Sequence, residues 1–231
     1  MTVLWLGDED CHEIQRVGGK SANLSRLAAG YRVPAGFCIT PDLYLQRLNE
    51  SGQNPAASLE LPQNLREVVA REYQEMVSRC GVADPAVAAR FSALDEDGEG
   101  TSFAGQYDTY LNITGSEAIA EAVVKGWGSV GGERTESYRK EHGLPADSSG
   151  VAVLVQQMVA AYVSGVVFRV NPISGNRDEV MINATWGLGE SLVSGKVTPD
   201  IWIVDKADSR VKETYIGEKG TMTILEDGGT A

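Results

Sequence analysis

The stretch Thr101-Ser-Phe-Ala-Gly-Gln-Tyr-Asp-Thr-Tyr-Leu-Asn112 reads as a short Gly/Ser/Thr loop running into an extended segment, Tyr107–Ile113. Small residues with free backbone N–H groups make such a loop a plausible cradle for phosphate oxygens. Just upstream, Val87-Ala-Ala-Arg90 brings a guanidinium to the end of a strand, and guanidinium geometry matches phosphate. Taken alone, the same residues also fit a glycine-bounded surface hairpin.

A second segment, Gly18-Gly-Lys-Ser-Ala-Asn-Leu24, opens a helix whose Leu24, Leu27 and Ala28 fall at helical spacing. A helix start offers unpaired N–H groups and a positive dipole end, so Lys20 stands where an anion is favoured. A Walker A loop is excluded, because that motif requires glycine at the position held by Ile14. The glycines of Gly187-Leu-Gly-Glu190 likewise lack the third member of a dinucleotide fingerprint.

Composition narrows the function classes. At 231 residues and 42% hydrophobic, the chain can bury a sizeable core in one domain or two lobes. A net charge of −12 argues against nucleic acid and anionic membrane surfaces, whose phosphates repel it. No apolar run reaches the ~20 residues that span a bilayer, and the leading residues are acidic where a signal peptide is basic. Cys11, Cys38 and Cys80 follow no metal-finger spacing, which fits a reducing cytoplasm. His12 and His142 are read as surface residues.

Periodicity predicts an α+β lobe followed by a β-rich one. After the first helix, Gly36-Phe-Cys-Ile39 is strand-like, and Thr40 caps a second helix with Pro41 at its first position. Ser51–Ala57 is a loop, and Leu65–Arg79 is a helix stopped at Gly81. Val87–Ala93 is a strand leading to the acidic loop Leu94–Gly100. Helices follow at Ser116–Gly126 and Glu133–Glu141. From Val151 onward the strands are Val151–Gln156, Gly165–Val170, Val180–Asn183, Ile201–Val204 and Val211–Ile216. The division is expected at residues 1–100 and 101–231, with a soft boundary around 85–115.

The order of the segments is more specific than any one of them. Gly18–Leu24 is followed by Val33-Pro-Ala-Gly-Phe-Cys-Ile-Thr40, Arg90 with Ser102–Gln106, and Val151-Ala-Val-Leu-Val-Gln-Gln-Met-Val159. Then come Ser164–Phe168 with Asn171-Pro-Ile-Ser-Gly175, Ile182-Asn-Ala-Thr-Trp-Gly-Leu-Gly-Glu190, and Val193-Ser-Gly-Lys-Val-Thr-Pro-Asp200. From about Val17 to about Gly217 this succession resembles the N-terminal ATP-binding domain of the phosphoenolpyruvate synthase and pyruvate phosphate dikinase family, a domain shared by rifampin phosphotransferases. The resemblance implies an ATP-grasp fold with ATP between two lobes. Lys20 and Arg90 would serve the polyphosphate, and Ser102, Phe103, Ala104, Gly105 and Gln106 would close over it. Gln156, Met158 and Val159 would form the adenine-binding edge, with Met158 against the purine or simply in the core. Glu190 would serve ribose or phosphate, or brace its loop. Arg134 matches a family arginine.

Departures from the family pattern matter too. Relatives carry Arg-Ser-Ser-Ala-Thr-Ala-Glu-Asp where this chain reads Arg90-Phe-Ser-Ala-Leu-Asp-Glu-Asp97, so Asp95 and Glu99 add acid near the polyphosphate or point into solvent. The resemblance implies Mg²⁺ as cofactor, but the family's metal ligands lie beyond the equivalent of Ala231, so no metal ligand is assigned here. Neither histidine stands in the family's Gly-Gly-x-x-x-His context. The swivelling phosphohistidine domain and the acceptor domain are therefore expected as partners, in trans or elsewhere in a longer parent. The strands Ile201–Val204 and Val211–Ile216 are expected to leave apolar surface for a further segment, or to fold back and bury Trp202.

Overall fold

The computed structural model describes residues 3–51, 62–94, 109–130, 150–226 and 229–230. Its contacts divide the chain into two compact units, Met1–Met158 and Val159–Ala231. The first contains β1 (Val3–Trp5), a 3₁₀ turn (Glu9–His12), α1 (Ile14–Leu27), β2 (Gly36–Ile39), α2 (Asp42–Ser51) and α3 (Gln63–Cys80). It continues with β3 (Val87–Ala93), β4 (Thr109–Ile113), α4 (Ser116–Val130) and β5 (Val151–Gln157). The division falls later than the expected 100/101 boundary. Residues on both sides of that boundary pair in one sheet, since β3 bonds to β4 and β5, so it cannot separate two cores.

That sheet runs β1-β2-β5-β3-β4, and every neighbouring pair is antiparallel. Antiparallel sheets often leave one face wet and then alternate apolar with polar residues. Here Val151-Ala-Val-Leu-Val155 is apolar without interruption, and both faces of β5 are buried. Val151, Val153 and Val155 join Phe37, Ile39, Val87, Ala89 and Phe91 in the main core, packed with Leu65, Val69 and Met76 of α3 and Ile119, Val123 and Trp127 of α4. On the opposite face Leu4, Cys38 and Ala152 pack with Cys11 and with Val17 and Ala22 of α1. Burying one such side chain stabilises the fold by about 1.5–3 kcal/mol.

Helix ends follow local chemistry, with two departures from expectation. Gly81 stops α3 as expected, in the left-handed conformation with its N–H on the Val77 carbonyl. The helix after Ser116 does not stop at Gly126. A Cβ there would lie 1.8 Å from Phe91 Cζ, so this glycine lets α4 approach the Phe91 ring and the helix runs on to Val130. At α2 the first helical bond goes from the Leu45 N–H to the Pro41 carbonyl. Pro41 thus caps the helix, and the Thr40 hydroxyl donates to the Asp42 carboxylate at 2.9 Å. Of the expected loop Ser51–Ala57 only Ser51 is described, and it ends α2; of the acidic loop Leu94–Gly100 only Leu94 is described, and the helix at 133–141 lies outside the described residues.

The second unit is a four-stranded antiparallel meander, β6 (Val163–Phe168), β7 (Glu179–Trp186), β8 (Asp200–Asp205) and β9 (Val211–Tyr215). A one-turn helix, α5 (Glu190–Val193), follows β7, and β10 (Leu225–Glu226) pairs with β11 (Gly229–Thr230). All four expected strands form, displaced by one to three residues at their ends. Ile203 is buried and pairs across β7 with Met181, while Trp202 is only half-buried. β8 is thus an interior strand, and the exposed apolar residues near it are Val211, Tyr215 and Ile216.

Polar clips hold the turns of this unit. Asn171 is buried, accepts from the N–H groups of Ile173 and Ser174, and donates to Glu179 at 2.8 Å. Lys212 then bonds the other oxygen of Glu179 at 2.5 Å. A second clip joins Lys219 to Asp200 and to the Gly217 carbonyl, while the Gly217 N–H donates to Asp200 at 3.0 Å. Gly217 has no room for a side chain there, since a Cβ would sit 2.3 Å from the Thr198 carbonyl oxygen.

Candidate functional site

The helix α1 is broken at Gly18, whose φ of 73° and ψ of 162° are far from helical. Only glycine adopts this backbone without strain, and the site leaves no alternative: a Cβ would lie 2.5 Å from Ser92 Oγ. The break presses the chain against β3 and restarts the helix at Gly19-Lys20. A restarted helix has its own first turn of unsatisfied N–H groups. Lys20 is exposed, and its Nζ donates to the Phe91 carbonyl at 3.4 Å.

Arg90 immediately precedes Phe91 on β3. It pairs with Leu154 on one side and Thr109 on the other, and its side chain is exposed. By register Ala88, Arg90 and Ser92 share a face with Leu154 and Gln156, the face on which α1 lies. Lys20 and Arg90, far apart in sequence, are thereby brought to the same stretch of one strand. The geometry thus places one cation from α1 and one from β3 beside the glycine break.

The end of β5 lies two residues along the same ladder. The side chain of Gln156 is buried, and its Nε2 donates to the Pro34 carbonyl at 3.2 Å. The Gln157 N–H donates to Ala35 and the Met158 N–H to Ala86, each at 2.8 Å. Two of the N–H groups at this edge are therefore engaged. The Val159 carbonyl accepts from Ala161, whereas the Val159 N–H has no partner among the described residues and the residue is exposed. The Met158 thioether is half-buried and accepts the Asn112 N–H at 2.9 Å.

The remaining expected residues lie elsewhere. Glu190 opens α5 in the second unit, where Lys196 approaches it to 3.5 Å and the Thr230 hydroxyl donates to it at 3.5 Å. Ser102, Phe103, Ala104, Gly105, Gln106, Arg134 and His142 are outside the described residues. His12, expected at the surface, is half-buried in the 3₁₀ turn, and its Nε2 has no partner among the described residues. Burial pushes the Cys38 thiol up to about 12, which makes it packing material and not a nucleophile. Among the described residues no group of three or more His, Cys, Asp or Glu could hold a metal ion, and no helix is long and apolar enough to cross a membrane. Three features of the site were not foreseen: the Phe91 carbonyl under Lys20, the Ala86 carbonyl under Met158, and Asn112. Only the last carries a sequence signal, because asparagine is the ordinary non-glycine occupant of left-handed backbone.

The fold is a mixed α/β chain in which Lys20 of α1 reaches β3, the strand of an antiparallel sheet that carries Arg90. The chain belongs to the family described as "Pyruvate phosphate dikinase, AMP/ATP-binding domain", which matches residues 53–231. It is 35% identical to a probable phosphoenolpyruvate synthase of Methanocaldococcus jannaschii over 98% of its own length and 22% of that protein. It is 36% identical to a probable phosphoenolpyruvate synthase of Methanothermobacter thermautotrophicus, over 97% of this chain and 36% of the relative. Identity to the phosphoenolpyruvate synthase of Pyrococcus furiosus is 32%, over 96% and 34% respectively. The chain thus spans about a fifth to a third of the length of these relatives.

Proposed function

We propose that this chain is the ATP-binding module, of ATP-grasp type, of a cytoplasmic dikinase-type phosphotransferase. The overall reaction takes ATP, water and an acceptor to AMP, phosphate and the phosphorylated acceptor, with the transferred group passing through a phosphohistidine. The observation that carries the reading is the glycine break that sets Lys20 against β3 beside Arg90. Lys20 supplies a point charge to the polyphosphate and Arg90 a planar fork of donors. Positioning and charge stabilisation of this kind are most of what a protein contributes to phosphoryl transfer.

The nucleobase is assigned to the end of β5, with the Val159 N–H, which has no partner among the described residues, as its donor and the Met158 thioether as packing surface. Ser102–Gln106 is assigned to closure over the phosphates and Glu190 to the ribose. Mg²⁺, when bound with ATP, offsets charge on the polyphosphate, and its ligands are assigned outside the described residues. The swivelling phosphohistidine domain and the acceptor domain are assigned as partners, in trans or in a longer polypeptide.

Calorimetry tests this reading. The chain is expected to bind ATP with Mg²⁺ in the micromolar to millimolar range, roughly −4 to −8 kcal/mol. Lys20→Ala and Arg90→Ala are each expected to weaken binding by about 1.5–3 kcal/mol, the size of a charge-assisted hydrogen bond. Unaltered affinity in both variants contradicts the assignment.

A further inference from the structure

The ladder between β3 and β4 is irregular in one place. Ala89 pairs with Tyr110, but Val87 pairs with Ile113, so Leu111 and Asn112 together stand opposite Ala88. One extra residue opposite a single partner is a β-bulge, a feature that bends a strand and re-aims its groups. Asn112 carries the bulge with a φ of 55°, and the residue is only 9% exposed. Its N–H leaves the ladder and donates to Met158 Sδ at 2.9 Å.

Met158 is therefore held twice, at its backbone N–H by the Ala86 carbonyl and at its sulfur by the Asn112 amide. The Ala86 side is itself braced. Tyr73, buried in the core, donates its one hydroxyl proton to Asp84, has the Pro85 carbonyl 3.1 Å away, and accepts the Gly115 N–H at 3.1 Å. Gly115 lies three residues beyond Asn112, so the two flanks of Met158 are tied to one phenol. Thioether sulfur is a weak acceptor on a flexible side chain. Here a bulge amide on one side and a braced carbonyl on the other fix its position.

We propose that Asn112 is a positioning residue for the nucleobase: its left-handed bulge aims an amide at Met158 Sδ and locks the thioether in the orientation that packs on the purine face. The inference rests on the nucleotide-binding reading above. It predicts that disturbing the bulge weakens recognition of the base and leaves recognition of the polyphosphate intact.

The test compares ATP with tripolyphosphate, which has the phosphates and no base, in wild type and three variants. Asn112→Gly keeps the left-handed backbone and the N–H at no steric cost. Asn112→Ala disfavours that backbone, and Met158→Leu keeps the volume while removing the sulfur. Asn112→Ala and Met158→Leu are expected to weaken ATP roughly three- to tenfold, the scale of one hydrogen bond, with tripolyphosphate unchanged and Asn112→Gly close to wild type. Loss of ATP and tripolyphosphate in parallel makes the bulge a merely structural device and overturns the proposal, as does full ATP affinity in every variant. If Asn112→Ala fails to fold, Met158→Leu decides alone. Wild type that binds neither ligand, or binds both with no effect of Lys20→Ala, brings down the nucleotide-binding reading itself and this inference with it.

Discussion

The two units are both built on antiparallel sheets, yet they are held together by different forces. In the first, β5 is covered on both faces, and Phe37, Phe91, Trp127, Leu65 and Met76 are almost completely buried. In the second, the buried apolar side chains among the described residues are Met181, Leu188 and Ile203, while Val163, Val167, Trp186 and Val211 are about half exposed or more. By register Val167, Ile182 and Trp202 form a cross-strand row, and Val180, Val204 and Val211 form another on the same face. A sheet with so thin a core needs polar clips, and it has them in Asn171–Glu179–Lys212 and Asp200–Lys219–Gly217. A core closed on both faces holds Lys20, Arg90 and Met158 on rigid elements, whereas turns clipped by charge hold shape only while the charges persist.

Replacing a tryptophan in each unit should expose the contrast most strongly. Trp127→Ala empties a fully buried site packed against Tyr44 and is expected to cost about 3–5 kcal/mol. Trp202→Ala, at a half-buried position, is expected to cost less than about 2 kcal/mol. Urea unfolding monitored by peptide-level hydrogen exchange separates the two units. Equal losses would show that the second sheet has more cover than its exposure indicates.

Gly18→Ala comes next, and it links fold to site. The new Cβ meets Ser92 at less than van der Waals distance while the backbone stays left-handed. A cost of about 1–3 kcal/mol in stability is expected, together with weaker ATP binding, because the Lys20 turn must move off β3. Unchanged stability and affinity would mean that the break is incidental.

The smallest effects should come from pH, with opposite signs in the two units. In the second, the hydrogen bond from Lys212, aided by Asn171, holds the Glu179 carboxyl below its ordinary value of 4.5. Lys219 and the Gly217 N–H do the same for Asp200, ordinarily 3.8. Groups with depressed values contribute stability that is present above the unfolded value and lost as pH falls through the folded one. This unit should loosen below about pH 4.5 and the loss should be muted in Asp200→Asn. In the first unit burial, with the Asp84 hydrogen bond, pushes Tyr73 from 10.0 up to about 12. Above pH 10 the unfolded chain releases this proton before the folded one does, so stability falls as pH rises. Exchange profiles at pH 4 and pH 10.5 check both signs, and loosening of the same unit at both extremes would contradict the contrast.

Much of the first unit was legible because its signals are local. The Val-rich run at 151–155, the left-handed stop at Gly81 and the helix start at Gly18-Gly-Lys20 each state their structure in a few residues. What was not legible depends on partners distant in sequence. Gly126 reads as a helix stop until the Phe91 ring beneath it is seen. The expected boundary at 100/101, soft over 85–115, falls between β3 and β4, which pair in one sheet. At the site, Lys20 and Arg90 were readable as cations, but nothing in the sequence tells that the Phe91 carbonyl holds Lys20 on Arg90's own strand. The Met158 N–H is taken by the Ala86 carbonyl, a partner far away in sequence, whereas the Val159 N–H has none among the described residues.

Amide exchange with and without ATP probes both ends of the proposed nucleotide site at once. Val159 is exposed and its N–H has no partner among the described residues, so in the free protein it should exchange at nearly the rate of an unstructured amide. ATP with Mg²⁺ is predicted to slow it, and to slow Gly19, Lys20 and Ser21 at the restart of α1, in wild type and not in Lys20→Ala. Protection at both places would tie the cations of β3 and the end of β5 to one nucleotide. Bound ATP that leaves both the Val159 amide and the Gly19–Ser21 turn exchanging at their free rates would contradict the account.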